Sequence, residues 1–349
     1  MKIAIDVSPL QSGHKVRGVG FYLTYLKEAL LTYYPTNEYQ FFTNGEKIAE
    51  KTDVLHYPYF DPFFMTLPFI KKYKTVVTVH DLTPLIFPTH FPAGFKGNLR
   101  WHIQRFRLKK VDGILTDSYA SKKDIEKIVN VPQEKVSVAY LAAGEEFKKL
   151  NEENAHLKNV KKKYNLPDNF ILYVGDVTWN KNVPRLVKAV SEISVPLVMV
   201  GKALVSKEFD KTNIWNSDLV EVNKLAQSNK NIIRLGFIPT ADLVALYNLA
   251  TVFVFPSVYE GFGLPIVEAM QSGCPVIISR EGCMPEVGDG AVEYFDAFNT
   301  DSLENTISKV LQSKKMQKEL SQKGLEQAKK FSWKITAEKT IESYKKALI

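Results

Sequence analysis

Two cysteines, Cys274 and Cys283, are all that the 349 residues contain. Neither has a metal-type pairing with a nearby histidine, and reduced thiols in a cytoplasmic protein are expected. No apolar run approaches the roughly 20 residues that a membrane-spanning helix needs. The opening stretch, "MKIAIDVSPL", turns polar too soon after Ile5 for a signal peptide and reads instead as a first strand. An Asp-x-Asp motif is missing, so the sequence requires no bound metal and implies no cofactor. Repeats, low-complexity tracts and nucleic-acid motifs are missing too, which removes nucleic acid from the expected partners.

What is present is the composition of a soluble globular protein, 45% hydrophobic and 24% charged, long enough for two domains with full cores. The net charge of +8 is unevenly placed. Residues 1–150 hold 21 Lys+Arg against 15 Asp+Glu, a balance of +6, and the remainder 25 against 23, a balance of +2. A basic first half suits an anionic membrane surface or a phosphorylated substrate.

Short apolar runs alternate with helical-period segments, the pattern of parallel sheets wrapped by helices. In the first half strands are expected at "KIAIDVS", "YQFFT", "DVLHY", "TVVTVH", "GILTDS" and "KVSVAY", with helices near 19–34, 97–110 and 119–129. The charge-rich segment from Glu145 to Asn169 is the candidate linker. Beyond it the pattern restarts with "FILYVGD", a helix near 182–193, "PLVMVG", a helix near 216–229, "NIIRLG", "TVFVFPS", the helix "PIVEAMQSG" and the strand "PVIIS". Two doubly wound units follow, an α/β architecture whose ligands sit at the carboxyl ends of the strands. The expected division is 1–165, with a final helix 333–349 returning to it, and 166–332.

The stretch "VFPSVYEGFGLPIVEAMQSGCPVI" carries the most chemistry. A buried-type strand turns through Gly261 and Gly263 before Pro265 starts a helix, as proline does at a first helical position. The glycines and the helix N-terminus make an anion site suited to phosphate. Glu260 precedes that site and Glu268 lies about one turn beyond it. Carboxylates repel phosphate but accept hydroxyls well, so the arrangement suits a diphosphate with hydroxyl groups at both ends, a nucleotide sugar. A surface helix with incidental glutamates is the plainer alternative.

Two glutamates separated by seven residues, with "GFGLP" between them, resemble the donor site of retaining glycosyltransferases of family four, which have the GT-B fold. The resemblance implies two facing Rossmann-like domains with the donor cleft between them. It covers nearly the whole chain, most strongly over 171–296 and least over 57–73 and 202–230. By that resemblance Glu260 would hold the transferred sugar, Glu268 the nucleotide ribose, and the Gly261, Phe262, Gly263 and Leu264 backbone the sugar and phosphate. "VGDVTWNKNVPRLVKAV" looks like the family's phosphate-binding loop, in which Lys181 would neutralise the diphosphate. Asn180 stands where many relatives have arginine. Otherwise Lys181 is a solvated lysine at a helix start. "KVRGVGFYL", with Gly18 and Gly20 opening the first helix, fails as a dinucleotide fingerprint and resembles the loop that covers the donor diphosphate, or is a plain turn. His80, in "TVVTVHDLTPLIFP", lies at a strand's carboxyl end, where it can donate a hydrogen bond or move a proton. The resemblance places it against the donor sugar, as in transferases of mannose and related sugars. The plainer reading has it satisfied by its neighbour Asp81. "LGFIPTADLVALYNLA" resembles the loop holding the base, and "FSWKITAEKTIESYKKAL" the family's final crossing helix, anchored by Trp333.

Expected, then, is transfer of a hexose, mannose from GDP-mannose in the first instance, from a nucleotide sugar to a glycan or lipid-linked acceptor in polysaccharide or lipopolysaccharide biosynthesis. Retention by front-face substitution, with the leaving phosphate helping to deprotonate the acceptor, is what the family implies, and His80, Lys181 and Glu260 are the catalytic candidates. A UDP-hexose donor stays open. So do a nucleotide-sugar 2-epimerase of the same fold and a non-catalytic subunit with a relict donor site. "KGNLRWHIQRFRLKK" sets Trp101, Ile103, Phe106 and Leu108 among basic residues, and "HYPYFDPFFMTLPFIKKYK" is rich in aromatics. Both suit peripheral contact with an anionic membrane surface, inside the cell, or an acceptor site. A core helix with a solvated basic face is the alternative.

Overall fold

The computed structural model describes residues 1–227 and 229–349, and the side chains of His14 and Val16 also lie outside the described set. The chain divides into two compact units. One comprises Met1–Ala142 with Phe331–Ile349, the other Ala143–Lys330.

The first unit is built on six strands: β1 (Lys2–Asp6), β2 (Glu38–Phe42), β3 (Val54–Tyr57), β4 (Lys74–Thr78), β5 (Gly113–Thr116) and β6 (Val136–Val138). They pair in the order β2-β1-β3-β4-β5-β6, every pair parallel. The second unit holds β7 (Ile171–Val174), β8 (Leu197–Val200), β9 (Ile232–Leu235), β10 (Val252–Phe255), β11 (Val276–Ser279) and β12 (Glu293–Phe295). Their order, β12-β11-β10-β7-β8-β9, is again all parallel. Read from its other edge this is the doubly wound order 3-2-1-4-5-6.

Parallel strands covered on both faces have no wet side, so they read as unbroken apolar runs. β8, β10 and β11 are buried at every position. Each fully buried valine, leucine or phenylalanine is worth roughly 1.5–3 kcal/mol, and these strands centre the second core. Helix Val183–Ile193 shows how a flanking element is specified. Pro184 stands in its first turn, and Val183, Leu186, Val187 and Val190 recur at helical spacing to face the sheet.

The charge-rich segment Glu145–Asn169 is not a linker between units. Its helix, Ala155–Lys163, starts at Asn154, whose side chain accepts from the His156 N–H, and Leu157 and Val160 are buried. Lys163 and Tyr164 then bind Asp242 at 2.7 and 2.8 Å, so the segment is fixed to the second unit. Polar composition hid a helix with one narrow apolar stripe. The boundaries accordingly fall after Ala142 and Lys330, not at 165 and 332. The helix expected near 216–229 spans Ser217–Gln227; Ser228 lies outside the described residues, and Asn229 is not helical.

The last helix, Trp333–Leu348, belongs to the first unit and is capped by the Ser332 side chain. Trp333 stacks on Tyr25 with ring centroids 5.2 Å apart. Tyr344 bonds His56 at 2.7 Å, and His56 in turn bonds Thr78 at 2.8 Å, which also meets the Tyr22 hydroxyl at 2.9 Å. All four are buried. Burial, with His80 adding, pushes the His56 imidazole down to about 3, so it stays neutral and serves as a structural hydrogen-bonding hub.

Candidate active site

In the second unit the sheet changes direction between β7 and β10, which are hydrogen-bonded neighbours. The two loops that leave their carboxyl ends are thereby set side by side at the topological switch point. After β7 the chain makes a short turn, Trp179–Lys181, and enters helix Val183–Ile193 through Asn182 at φ +55°. After β10 it runs through Pro256–Gly263, buried throughout, into helix Leu264–Gln271.

Two asparagines staple these loops. Asn180 accepts the Val258 N–H on its backbone carbonyl at 2.7 Å and donates its side-chain amide to the Tyr259 carbonyl at 3.0 Å. Asn182 donates to the carbonyls of Pro256 and Ala297 at 3.1 and 2.8 Å. The staples bring Lys181 and Glu260 together. The ammonium lies 2.7 and 2.8 Å from the two carboxylate oxygens, with side chains only 20% and 11% exposed. It also sits 5.4 Å from the Phe255 ring centre, within cation–π range. Beneath the pair, the Tyr173 hydroxyl donates to the Asp176 carbonyl at 2.6 Å, and burial with the Glu260 charge holds its phenol far above the usual range.

Gly263 precedes the next helix at φ +92°, and a Cβ there would stand 2.8 Å from the Ile266 side chain. Only glycine fits both the dihedral and the space. Pro265 sits in the first turn, where the Ile266 N–H is taken by the Gly263 carbonyl at 2.9 Å, and the start of this helix carries the positive end of its dipole, as at an anion site. Glu268 lies one turn in. Its carboxylate accepts the Tyr247 hydroxyl at 2.9 Å. Burial, with Glu146 adding, pushes its carboxyl up to about 7 against that bond.

The other sequence candidates belong to the first unit. Gly18 opens helix Gly18–Tyr33 on an exposed, open side, where a Cβ would meet nothing within 4 Å, while Gly20, two residues on, is buried. No packing demand explains Gly18. His80 is not satisfied by Asp81, whose carboxylate accepts the Thr83 N–H at 2.9 Å. Its Nδ1 meets Asp117 at 2.6 Å and its Nε2 the Pro58 carbonyl at 3.2 Å. With acceptors on both ring nitrogens the doubly protonated imidazolium is favoured. Burial alone would lower its pKa, but Asp117, Asp81 and the Pro58 carbonyl outweigh that and raise it. Tyr22 packs edge-on against the ring at 4.8 Å.

Asp117, Tyr247 and the stapling asparagines were missed by sequence reasoning. Asp117 had a readable signal. The β4/β5 register pairs Thr78 with Leu115, and two steps on it pairs His80 with Asp117.

Comparison with known proteins gives this geometry a setting. A family model described as "Glycosyl transferases group 1" matches residues 154–327, and one described as "Glycosyltransferase Family 4" matches 16–142. The chain is similar to the serotype-specific mannosyltransferase WbdA of Escherichia coli, 29% identical over 281 residues, covering 79% of this chain and 34% of WbdA. It thus spans about a third of that relative's length. It is also similar to the E. coli O-antigen chain mannosyltransferase B, 31% identical over 283 residues, covering 78% of this chain and 70% of the relative. Among solved structures, Anabaena Alr3699/HepE in complex with UDP-glucose aligns over 98% of both chains with a TM-score of 0.76 at 15% identity. That likeness carries the fold alone, and the fold is GT-B.

Proposed function

This chain belongs to the group 1, family 4 glycosyltransferases, and we propose that it transfers a mannosyl residue from GDP-mannose, with retention and without a metal, to a hydroxyl of a glycan or lipid-linked acceptor. The observation that carries this reading is the Lys181–Glu260 pair, held at 2.7 Å on the adjacent loops of β7 and β10, just before the glycine start of helix Leu264–Gln271. The likeness to mannosyltransferases supports the choice of sugar. In the reaction, the bond from the anomeric carbon to the diphosphate oxygen breaks and one to the acceptor oxygen forms. The acceptor's proton passes to the leaving phosphate. Lys181 and the positive N-terminal end of helix Leu264–Gln271 stabilise the charge growing on that phosphate. Glu260 accepts sugar hydroxyls, and Glu268 those of the ribose.

A UDP-hexose donor is the second reading, supported by the fold-level likeness to HepE described with UDP-glucose. Calorimetric titration with GDP-mannose and with UDP-glucose separates the two. Binding of GDP-mannose that Glu260→Ala abolishes is the expected result, with mannosyl transfer unchanged by EDTA. Failure of both donors to bind would leave the reading of a non-catalytic subunit. Interconversion of a UDP-sugar without transfer would leave that of an epimerase.

A further inference from the structure

Helix Gly94–Lys110 of the first unit is folded inside out. It buries Gly97, Gln104 and Leu108, while Phe95, Leu99 and Phe106 face solvent. Those three recur at helical spacing, in line with Lys110 four residues after Phe106, and form one stripe. Phe95 is 86% exposed. A helix that turns a glutamine inward and phenylalanines outward is not solving a packing problem within its own unit.

The buried Gln104 explains itself through the loop beside it. Its amide donates to the Phe64 carbonyl and the Thr66 hydroxyl at 2.7 Å and to the Asp61 carbonyl at 3.1 Å. Arg107 donates to the Leu67 carbonyl at 2.6 Å and Arg100 to the Phe63 carbonyl at 3.3 Å. The helix therefore fixes the loop's backbone while the loop turns Phe64, Phe69 and Ile70 outward, Phe69 at 80% exposure. Together, loop and helix stripe form an exposed apolar face of a kind that monomeric proteins keep small unless it is used.

Charge decides what can cover it. The helix carries six basic residues and no acidic one. Arg107 lies 3.6 Å over the Phe69 ring, and Lys110 4.1 Å over that of Phe106. A second copy of this chain would set cations against cations, which is unfavourable. A bilayer bearing anionic headgroups offers negative charge at its surface and apolar chains directly below, the complement of this face. No helix among the described residues is long and apolar enough to cross a membrane, so contact of this kind is interfacial.

We propose that the face formed by Phe64, Phe69, Ile70, Phe95, Leu99 and Phe106, with its surrounding lysines and arginines, docks the first unit on an anionic membrane surface. The proposal is independent of which donor the second unit binds. Flotation of the full chain with vesicles of phosphatidylcholine alone, and with about one third phosphatidylglycerol, tests it. The wild type should float only with the anionic vesicles, and less so as NaCl is raised from about 0.1 to about 0.5 M. Phe69→Ser/Phe95→Ser/Phe106→Ser should weaken partition at least about tenfold. Lys72→Glu/Lys96→Glu/Lys110→Glu should weaken it about a hundredfold or more, each lysine near an anionic surface being worth about fivefold. All six positions are exposed, so both variants should keep the wild-type melting midpoint. Equal flotation with both vesicle types, or variants that float like the wild type, would overturn the proposal. So would a dimer in light scattering that the phenylalanine variant dissolves while no vesicle is bound, since the face would then join copies of the chain.

Discussion

Replacing Lys181 by methionine leaves the Glu260 carboxylate in place, almost entirely buried, without the cation 2.7 Å away. Removing one partner of a fully buried ion pair costs about 3–5 kcal/mol. Here both side chains keep some contact with solvent, so about 2–4 kcal/mol is expected. For a unit of this size that lowers the melting midpoint by roughly 4–16 °C. The double variant Lys181→Met/Glu260→Gln removes both charges and should return to within about 1 kcal/mol of the wild type, because the penalty lies in the uncompensated charge. Protonation does the same for the single variant. Its deficit relative to wild type should therefore shrink as the pH is lowered, whereas a deficit from lost packing would not. Donor affinity should fall about 10- to 100-fold in both variants, since each lacks the charge-assisted bond to the diphosphate that the proposed function gives Lys181. Scanning calorimetry across pH, with titration of GDP-mannose, measures all of this. A Lys181→Met protein as stable as wild type, or a double variant no better than the single, would refute the claim that the two side chains act as one electrostatic unit.

Three further outcomes follow from the geometry. The Glu268 carboxyl, raised to about 7 in the folded chain, confers stability that is fully present below its unfolded value of about 4.5 and is lost as the pH rises through 7. Glu268→Gln should flatten that slope, and a slope that survives the substitution would sink the assignment. Asp117→Asn removes the charge that raises His80. His80 should then titrate at lower pH by NMR, and the stability it confers, present below its unfolded pKa of about 6.5 and lost as the pH rises through the raised folded value, should disappear; an unmoved titration would mean that Asp117 is not the cause. Gly201→Ala places a Cβ 2.1 Å from the Gly175 carbonyl oxygen, backbone that cannot swing away, so a loss of about 3 kcal/mol or a failure to fold is expected in urea melts.

The architecture was legible because parallel strands announce themselves. "TVFVFPS" and "PVIIS" are apolar without alternation, and burial on both faces is the reason. Helix Ala155–Lys163 escaped because only Leu157 and Val160 are buried among lysines, which reads as a solvated linker. Helix Gly94–Lys110 was legible as a helix but not as to its faces. Periodicity assigns phenylalanine inward and glutamine outward, and only the loop that Gln104 holds reverses this. The motif around Glu260 announced a ligand-binding turn, yet the sequence could not say what met its carboxylate, because that partner lies 79 residues away.

Topology removes that last gap. Any sheet of order 3-2-1-4-5-6 sets the loop after its first strand beside the loop after its fourth, whatever their separation in sequence. In the second unit those loops are the ones carrying Lys181 and Glu260. Asn180 then ceases to be a defect in a cationic motif. It is buried; its backbone carbonyl and its side-chain amide are bound to the facing loop, and its side-chain carbonyl accepts the Thr178 hydroxyl. A longer, charged arginine there would have to leave that slot and give up the amide bond to Tyr259, loosening the loop that aims Glu260. In this chain Asn180 ties the loop after β7 to the loop after β10, and the lysine that follows it, Lys181, is thereby set against Glu260.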